Sequence, residues 1–343
     1  MNMRRSTLLA GAIAMATALS LAACGTDSGG SPGGDRKAGG SGDHVKVILD
    51  FIYNGSYGPL AYGTDQGYFA DKGVDLEVIP GRGGDLAMQQ INQGKVDFAF
   101  TDLSSYLRQK LQNQTETTAV YVWVPDPQIC IASLTPLSSP ADMAGKSFAT
   151  VSFSNGRTTV PYVLKQNGVD TSKVKVQLLD ISVLIPQLLS GAVDTAESAI
   201  PDSLAENRIT AKRAGKDLSC TALSAWGYKD YGKMLIVRND LIKSNPDLVK
   251  RVIEGFDESL QNAVANASSD DIFNALKKVN PQTDKQSIAD AWTGFKDMEK
   301  GNTGAIDQGF VTYSLGFLKD TEGLTTTAAP NTFYDNSYVE GAR

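Results

Sequence analysis

From Tyr53 to Asp102 the chain reads YNGSYGPLAYGTDQGYFADKGVDLEVIPGRGGDLAMQQINQGKVDFAFTD. The apolar run Leu76 to Ile79 predicts a short strand, and Asp85 to Asn92 predicts a helix. Between them lies a Gly-rich turn, Gly81 to Gly84, that leaves backbone N–H groups at the helix start free to meet a ligand. Two marks of this stretch return downstream. Gly73-Val74-Asp75 reappears as Gly168-Val169-Asp170, and Gly94-Lys95-Val96-Asp97 as Gly191-Ala192-Val193-Asp194. The two recur in the same order at offsets of 95 and 97 residues, which predicts two similar α/β lobes with a ligand between them.

The N-terminus reads as an address rather than as fold. Arg4 and Arg5 precede an apolar run, Leu8 to Leu21, that is shorter than the ~20 residues of a spanning helix. It closes on Leu21-Ala22-Ala23-Cys24-Gly25, small residues before a cysteine, the pattern of a bacterial lipoprotein signal. Residues 1–23 are therefore read as a signal peptide and Cys24 as the lipidated N-terminus of the cleaved chain. An ordinary signal peptide cut nearby is the alternative. Residues 24–44 are mostly Gly, Ser and Asp, a composition that buries no core and serves as a flexible tether. The protein is expected outside the cell, held at the membrane through its N-terminal lipid only.

Of 343 residues, removal of the first 23 leaves 320, enough for about two domains of ~150 residues. Without Arg4 and Arg5, the 32 basic residues fall to 30 against 38 acidic, a net charge of −8. That balance argues against a nucleic acid or an anionic membrane face as partner. After Cys24 the cysteines are Cys130 and Cys220, expected to form a disulfide in an oxidising compartment, with two buried thiols as the alternative. The single histidine, His44, stands at the end of the tether. A Ser-His-Asp triad and a multi-histidine zinc site are thereby excluded.

The chain alternates strand and helix. Val45 to Phe51, Phe98 to Phe100 and Ala119 to Val124 are expected strands, and Leu60 to Phe69 and Leu103 to Leu111 are expected helices. This pattern predicts mixed sheets flanked by helices, with ligands beyond the carboxyl ends of the strands. Pro125-Asp126-Pro127 is read as the first crossing to a second lobe, 126–231, and Cys220 to Tyr231 as the return. The first lobe comprises 45–125 and 232–343. In the second lobe Ser152 to Gly156 leads into a helix, Thr158 to Asn167, and is read as the mirror of the Gly81 to Asp85 turn. Pro246 opens a long helix whose Leu248, Val252, Phe256, Leu260 and Val264 form one apolar face. The tail after Gly323 reads as polar and irregular.

The sequence Gly67-Tyr68-Phe69 through Gly73-Val74-Asp75-Leu76-Glu77-Val78 resembles the "GYF…GLDVEV" signature of solute-binding proteins of ABC importers. The subgroup takes up nitrate, sulfonates, taurine and the pyrimidine precursor of thiamine. Gly94 to Phe98, Asp142 to Ala149 and Leu235-Ile236-Val237-Arg238 match further marks, so the likeness runs over about Val45 to Ala267. It implies a two-lobed fold of the type II periplasmic-binding-protein kind, with two interlobe crossings. It implies capture of a small molecule and its delivery to an ABC permease, by a monomer without cofactor, metal or catalysis. The Gly81 to Gly84 turn is most similar to the pyrimidine-precursor branch. Asp85, however, stands where many relatives carry a small neutral residue, and Asn54-Gly55 where that branch has an Asn-His pair.

Candidate ligand residues are those at the expected strand ends. They are Tyr53, Asn54, Tyr57, Gly83, Gly84, Asp85, Thr101 and Asp102 of the first lobe, and Ser154, Asn155, Asp180 and Glu197 of the second. Trp226 and Tyr228 join them from the return crossing. The rings of Tyr53, Tyr57, Phe153, Trp226 and Tyr228 would stack on a flat guest, at least two of them touching it. Asp85 either caps its own helix or faces the cleft, and Ser154 and Asn155 either cap or bind. Carboxylates in the cleft point to a neutral or cationic heterocycle such as a thiamine pyrimidine precursor. The alternatives are a sulfonate, taurine or nitrate, or an extracytoplasmic enzyme on the same scaffold working through Asp102, Asp180 or Glu197. No P-loop occurs, so energy coupling belongs to another chain.

Overall fold

The structure, a computed structural model, describes residues 42–340. The expected signal peptide, Cys24 and the tether as far as residue 41 lie outside the described residues. The first strand, β1 (Asp43–Ile48), starts two residues earlier than expected and takes Asp43 and His44 out of the tether. His44 is held there by Asp75 and Glu77 of the neighbouring strand, at 2.9 and 3.1 Å.

Lobe I continues with α1 (Gly58–Gln66), β2 (Val74–Ile79), α2 (Gly84–Asn92), β3 (Phe98–Thr101), α3 (Leu103–Asn113) and β4 (Thr117–Val124). Lobe II runs through β5 (Ile129–Ser133), β6 (Ser147–Thr150), α4 (Gly156–Gln166), β7 (Lys175–Leu178), α5 (Leu184–Ser190), β8 (Thr195–Ala199), α6 (Asp202–Arg213) and β9 (Ser219–Ala222). The chain then returns as β10 (Lys233–Arg238), followed by α7 (Asn239–Ser244), α8 (Pro246–Asn266), α9 (Ser269–Val279), α10 (Lys285–Met298), α11 (Gln308–Glu322) and α12 (Ser337–Glu340).

The strands form two five-stranded sheets, ordered β2-β1-β3-β10-β4 and β7-β6-β8-β5-β9. Each has three parallel strands followed by an antiparallel one, so β1 corresponds to β6, β2 to β7 and β3 to β8. The repeated sequence marks now have a physical account. Gly94 and Gly191, at φ 67° and 79°, turn the chain in the left-handed region just before β3 and β8. The aspartate three residues on then ties its strand to a parallel neighbour in its own sheet, β1 in lobe I and β6 in lobe II. Asp97 accepts the N–H of Lys46 at 2.9 Å, and Asp194 accepts that of Ser147 at 2.8 Å. Asp97→Ala should cost about 1.5 kcal/mol in urea denaturation, because a charged acceptor is lost from a main-chain donor.

One expected correspondence is corrected by this topology. The turn before α2 follows β2, so its counterpart is the segment after β7 that carries Asp180. The segment Ser152 to Gly156 follows β6 and corresponds to Phe51–Gly58 after β1.

The lobe I core is an edge-to-face array of Tyr57, Phe100, Trp123 and Phe256, with ring centroids 5.3 to 5.9 Å apart. The apolar face of α8 supplies Phe256 along with Leu248, Val252 and Leu260. Cys130 and Cys220 are joined by a disulfide between the adjacent strands β5 and β9. The C-terminal tail is not the irregular coil expected: Tyr334 bridges Ala119 of β4, and Phe333 and Val339 are buried. The α11 helix went unrecognised in the sequence. Its Phe317 packs against Tyr162 of α4 and Tyr228 of the return crossing, at 4.9 and 5.7 Å. No helix among the described residues is long and apolar enough to cross a membrane.

Candidate functional site between the lobes

Two of the hydrogen-bonded contacts between the lobes are related by the correspondence between the sheets. The loop after β1 offers Ser56, whose N–H and hydroxyl each donate at 2.8 Å to Asp202, which follows β8. The loop after β6 offers Asn155, whose Nδ2 donates to Asp102 (3.2 Å), which follows β3, and to Ser105 Oγ (3.0 Å). Each contact therefore runs from the loop after β1 or its counterpart β6 to a carboxylate beyond β8 or its counterpart β3 in the other lobe. Both sit where parallel strands end, the region in which open α/β sheets bind ligands.

Neighbouring groups hold these contacts in place. The indole N–H of Trp123 donates to the Ser56 carbonyl at 2.9 Å, fixing that loop to the core. Lys233, at the start of β10, meets Asp50 at 3.2 Å and Gln128 Oε1 at 2.6 Å, and lies 5.0 Å from the centre of the Tyr57 ring. Gln128 Nε2 in turn donates to Asp202 at 3.3 Å. Burial raises the Asp202 carboxyl above its usual range, partly offset by the charge of Lys233. At the second contact Arg108 is buried and paired with Glu322 of α11, its Nε donating to both carboxylate oxygens at 2.9 Å. Its Nη1 reaches Asn155 Oδ1 at 3.3 Å.

The return crossing contributes a second acid behind Asp102. Asp230 is buried, accepts from the Tyr228 hydroxyl (2.7 Å) and from the N–H of Ser104 (3.2 Å), and is pushed up to about 7 by burial and by the charge of Asp102. In lobe II, Glu197 accepts from the hydroxyls of Thr150 and Ser154 and packs under the start of α4. A Cβ on Gly156 would stand 2.7 Å from its carboxyl carbon, so the close approach requires glycine there. Burial raises the Glu197 carboxyl as well.

The expected residues divide accordingly. Asp102, Asn155, Ser154 and Glu197 meet at or beside the lobe interface, with Asn54 close by, its Oδ1 2.9 Å from the Ser56 hydroxyl. Thr101 is buried with no partner for its hydroxyl, and Gly84 lies against it, since a Cβ there would fall 2.4 Å from Thr101 Oγ1. Gly83, at φ 120°, is the N-cap of α2. Asp85 neither caps α2 nor meets lobe II; it accepts from Gln109 Nε2 at 3.2 Å and lies 3.8 Å from Arg108. Asp180 is exposed and closes its own turn onto the N–H and hydroxyl of Ser182, which lower its carboxyl below the usual range.

Of the five aromatics expected to stack, Phe153 is exposed in the loop after β6, and the other four fall outside the expectation. Tyr53 and Tyr57 are buried in the lobe I core, and Trp226 and Tyr228 against α4 and α11. They therefore offer no open ring face to a guest in this arrangement. The residues that sequence reading passed over are Asp50, Ser56, Arg108, Gln128, Asp202, Asp230 and Lys233. Asp50 and Lys233 had a usable signal, a charge at the end or start of an otherwise apolar strand. Asp202 had none.

A concavity of about 940 Å³ lies between α2 and α3, lined by Gln89, Asn92, Gln109, Asn113 and Glu116 among others. It runs from Asp85 and Leu86 at the start of α2, where Asp85 lies 3.8 Å from Arg108, to Thr117 and Arg238 at the end of the sheet remote from lobe II. Among the described residues no group of three or more His, Cys, Asp or Glu side chains could hold a metal ion.

The fold is shared with solved proteins at low sequence identity. The periplasmic sulfonate-binding protein SsuA of Methylobacillus flagellatus is 16% identical, with 88% of this chain and 94% of that one covered and a TM-score of 0.65. The aliphatic sulphonate-binding SsuA of Escherichia coli is 12% identical, with 85% and 92% covered and a TM-score of 0.66. The desulfurization enzyme DszB is 13% identical, with 88% and 98% covered and a TM-score of 0.58. None of the curated proteins matches the chain. The model of the NMT1/THI5-like family matches residues 54–269, more than half of the 343 residues. On a two-lobed periplasmic-binding-protein fold of type II, the chain belongs to the NMT1/THI5-like family.

Proposed function

We propose that the protein is an extracytoplasmic solute-binding protein that captures a neutral or cationic heterocycle between its lobes. It then passes the ligand to an ABC permease, acting as a monomer anchored by a lipid on Cys24. The observation that carries the ligand's charge is the state of the buried cations at the lobe interface. Lys233 is already paired with Asp50, and Arg108 with Glu322, while Asp202 stands at one interlobe contact and Asp102, with Asp230 behind it, at the other. A buried anion without a free positive partner is costly, whereas an N–H donor or ammonium would be met by negative charge. A thiamine pyrimidine precursor, with ring nitrogens and an exocyclic amine, has this chemistry. Ligand contacts to both walls would favour the closed arrangement over an open one.

A sulfonate, taurine or nitrate is the second reading. Arg82 favours it, exposed in the turn before α2 with no partner among the described residues. Calorimetry with an aminopyrimidine, taurine, an alkanesulfonate and nitrate separates the two. The heterocycle should bind at micromolar Kd or tighter and the anions at least 100-fold more weakly; tight binding of a simple anion would overturn the reading.

DszB shows that the scaffold also serves an enzyme. Capture rather than turnover is supported here by the chemistry near the interface. Both described cysteines are in the disulfide, and His44 lies at the amino-terminal end of β1, away from lobe II. Product formed from a bound ligand in a long incubation would favour the enzyme instead.

A further inference from the structure

The two sheets end in four edge strands, β2, β4, β7 and β9, and three of these are covered or guarded. The C-terminal tail lies on β4, where Ala119 N–H donates to the Phe333 carbonyl at 3.2 Å and its own carbonyl accepts from Asp335 N–H at 2.9 Å. No residue of β9 is exposed. β2 carries the exposed carboxylates Asp75 and Glu77 and runs into Pro80, which has no N–H to offer an incoming strand. β7 has no such cover, and three of its four residues are exposed. The N–H groups of Lys175 and Leu179 donate to the carbonyls of Lys146 and Thr150 on the β6 side, at 3.0 and 2.9 Å. Strand alternation therefore turns the N–H and C=O of Val176 and Leu178 away from β6, where the sheet has no further strand. The side chains of the same two residues share one face of β7 and are 38% and 57% exposed. Ile181 and Val183, in the next turn, are exposed as well, and the remaining exposed large apolar residues lie on other segments.

The correspondence between the lobes sets this edge apart from β2. Asp97 holds the N–H of Lys46 and Asp194 that of Ser147, so Lys46 matches Ser147. Their strand partners are Glu77 and Lys175, which therefore match, and three residues on Pro80 matches Leu178. Lobe I has an acid and a proline where lobe II has a base and an apolar residue with a free N–H. Lys146 and Lys175 are main-chain neighbours at the amino-terminal end of the edge and form no ion pair among the described residues. Asp194 feels the charge of both but is taken up by the N–H and hydroxyl of Ser147. We propose that β7 is a docking edge that accepts an extended segment of a partner protein as an added strand. That segment carries alternating apolar side chains and an acidic end that lies beside Lys146 and Lys175. Main-chain hydrogen bonds to Val176 and Leu178 supply the affinity, and the two lysines select the partner. This interaction is separate from solute capture and does not depend on the ligand.

The test is fluorescence anisotropy of the purified full chain with the labelled peptide acetyl-EETVTVTEE-amide and its lysine-ended form, acetyl-KKTVTVTKK-amide. The glutamate-ended peptide should bind at least about fivefold more tightly, the effect of a few exposed ion pairs. Its binding should slow hydrogen exchange at the amides of Val176 and Leu178. Leu178→Pro, which copies Pro80 of the lobe I edge, should weaken binding at least tenfold, because a main-chain donor is lost and the ring obstructs pairing. Leu178→Thr keeps the N–H and should weaken it less. Failure of the glutamate-ended peptide to bind, equal binding of the two peptides, or binding without protection of the two amides would overturn the proposal. A wild-type dimer in sedimentation velocity that Leu178→Pro dissolves would give the edge to a second copy and overturn it too.

Discussion

Asp202→Ala is expected to lose ligand capture by at least 100-fold and to lower stability by about 3 kcal/mol. The carboxylate accepts the N–H and hydroxyl of Ser56 and the amide of Gln128. Removing it leaves a main-chain donor of lobe I without partner at the interlobe contact, and it deprives Lys233 of a neighbouring negative charge. Unsatisfied groups in such places cost about 1–3 kcal/mol each, more where a charge is stranded. Asp202 also begins α6, where a negative charge suits the helix N-terminus. Urea denaturation gives the stability and calorimetry the binding. Asp180→Ala is the matched control. That residue is exposed and bonded only within its own turn, so it should shift stability by no more than about 0.5 kcal/mol and leave binding unchanged. Equal losses in the two variants would contradict the assignment of Asp202.

The second large effect is a fall in stability as pH rises from about 5 to 8. Asp230 is pushed up to about 7 by burial and by Asp102, and Glu299 to about 8, by burial first and then by the charge of Asp126. In the unfolded chain these carboxyls return to 3.8 and 4.5. A carboxyl raised in the folded state contributes stability in full below its unfolded value, and loses that contribution as pH climbs through the folded value. The unfolded chain sheds the proton first, so each group adds a slope of up to ~1.4 kcal/mol per pH unit inside the window. Asp230→Asn should flatten the slope between pH 5 and 7 and stabilise the protein at pH 7.5. The amide keeps an acceptor for Ser104 N–H and a donor towards the Tyr228 hydroxyl. Because Asp230 stands behind Asp102, the same variant should hold the Asn155 contact at higher pH. A chemical-denaturation series at half-unit pH steps reads both slopes, and identical profiles for wild type and variant would contradict the assignment.

Much of the architecture was written in local marks. The repeated Gly-X-Val-Asp sequences predicted two lobes, and the structure gives the reason: a left-handed turn followed by an aspartate that bonds the neighbouring parallel strand, β1 or β6. Pro246 and the apolar spacing of Leu248, Val252, Phe256 and Leu260 gave α8 correctly, since helix periodicity and a first-turn proline are local signals. The disulfide was legible for a different reason, the small number of cysteines.

The site was less legible because it depends on contacts between distant residues. Ser56 meets Asp202 across 146 positions and Asn155 meets Asp102 across 53. Nothing local in the sequence separates Asp102, which bridges the lobes, from Asp180, which closes a turn on Ser182. Aromatics were misleading for a related reason. Tyr57 and Tyr228 stand in segments that look like loops, but their hydroxyls bond Asp50 and Asp230 inside the protein, and their rings fill cores. The mirror drawn between Ser152–Gly156 and Gly81–Asp85 failed because both precede helices. Strand order, which sequence does not display, decides which helix start corresponds to which.

The most direct measurement is native mass spectrometry of freshly purified protein, with the retained molecule identified after release. A single molecule that is neutral or cationic at pH 7, retained by the wild type and lost from the Asp102→Asn, Asp202→Asn double variant, is the predicted result. A released sulfonate or nitrate, or a molecule retained equally by both proteins, would contradict capture at the carboxylates that join the two lobes.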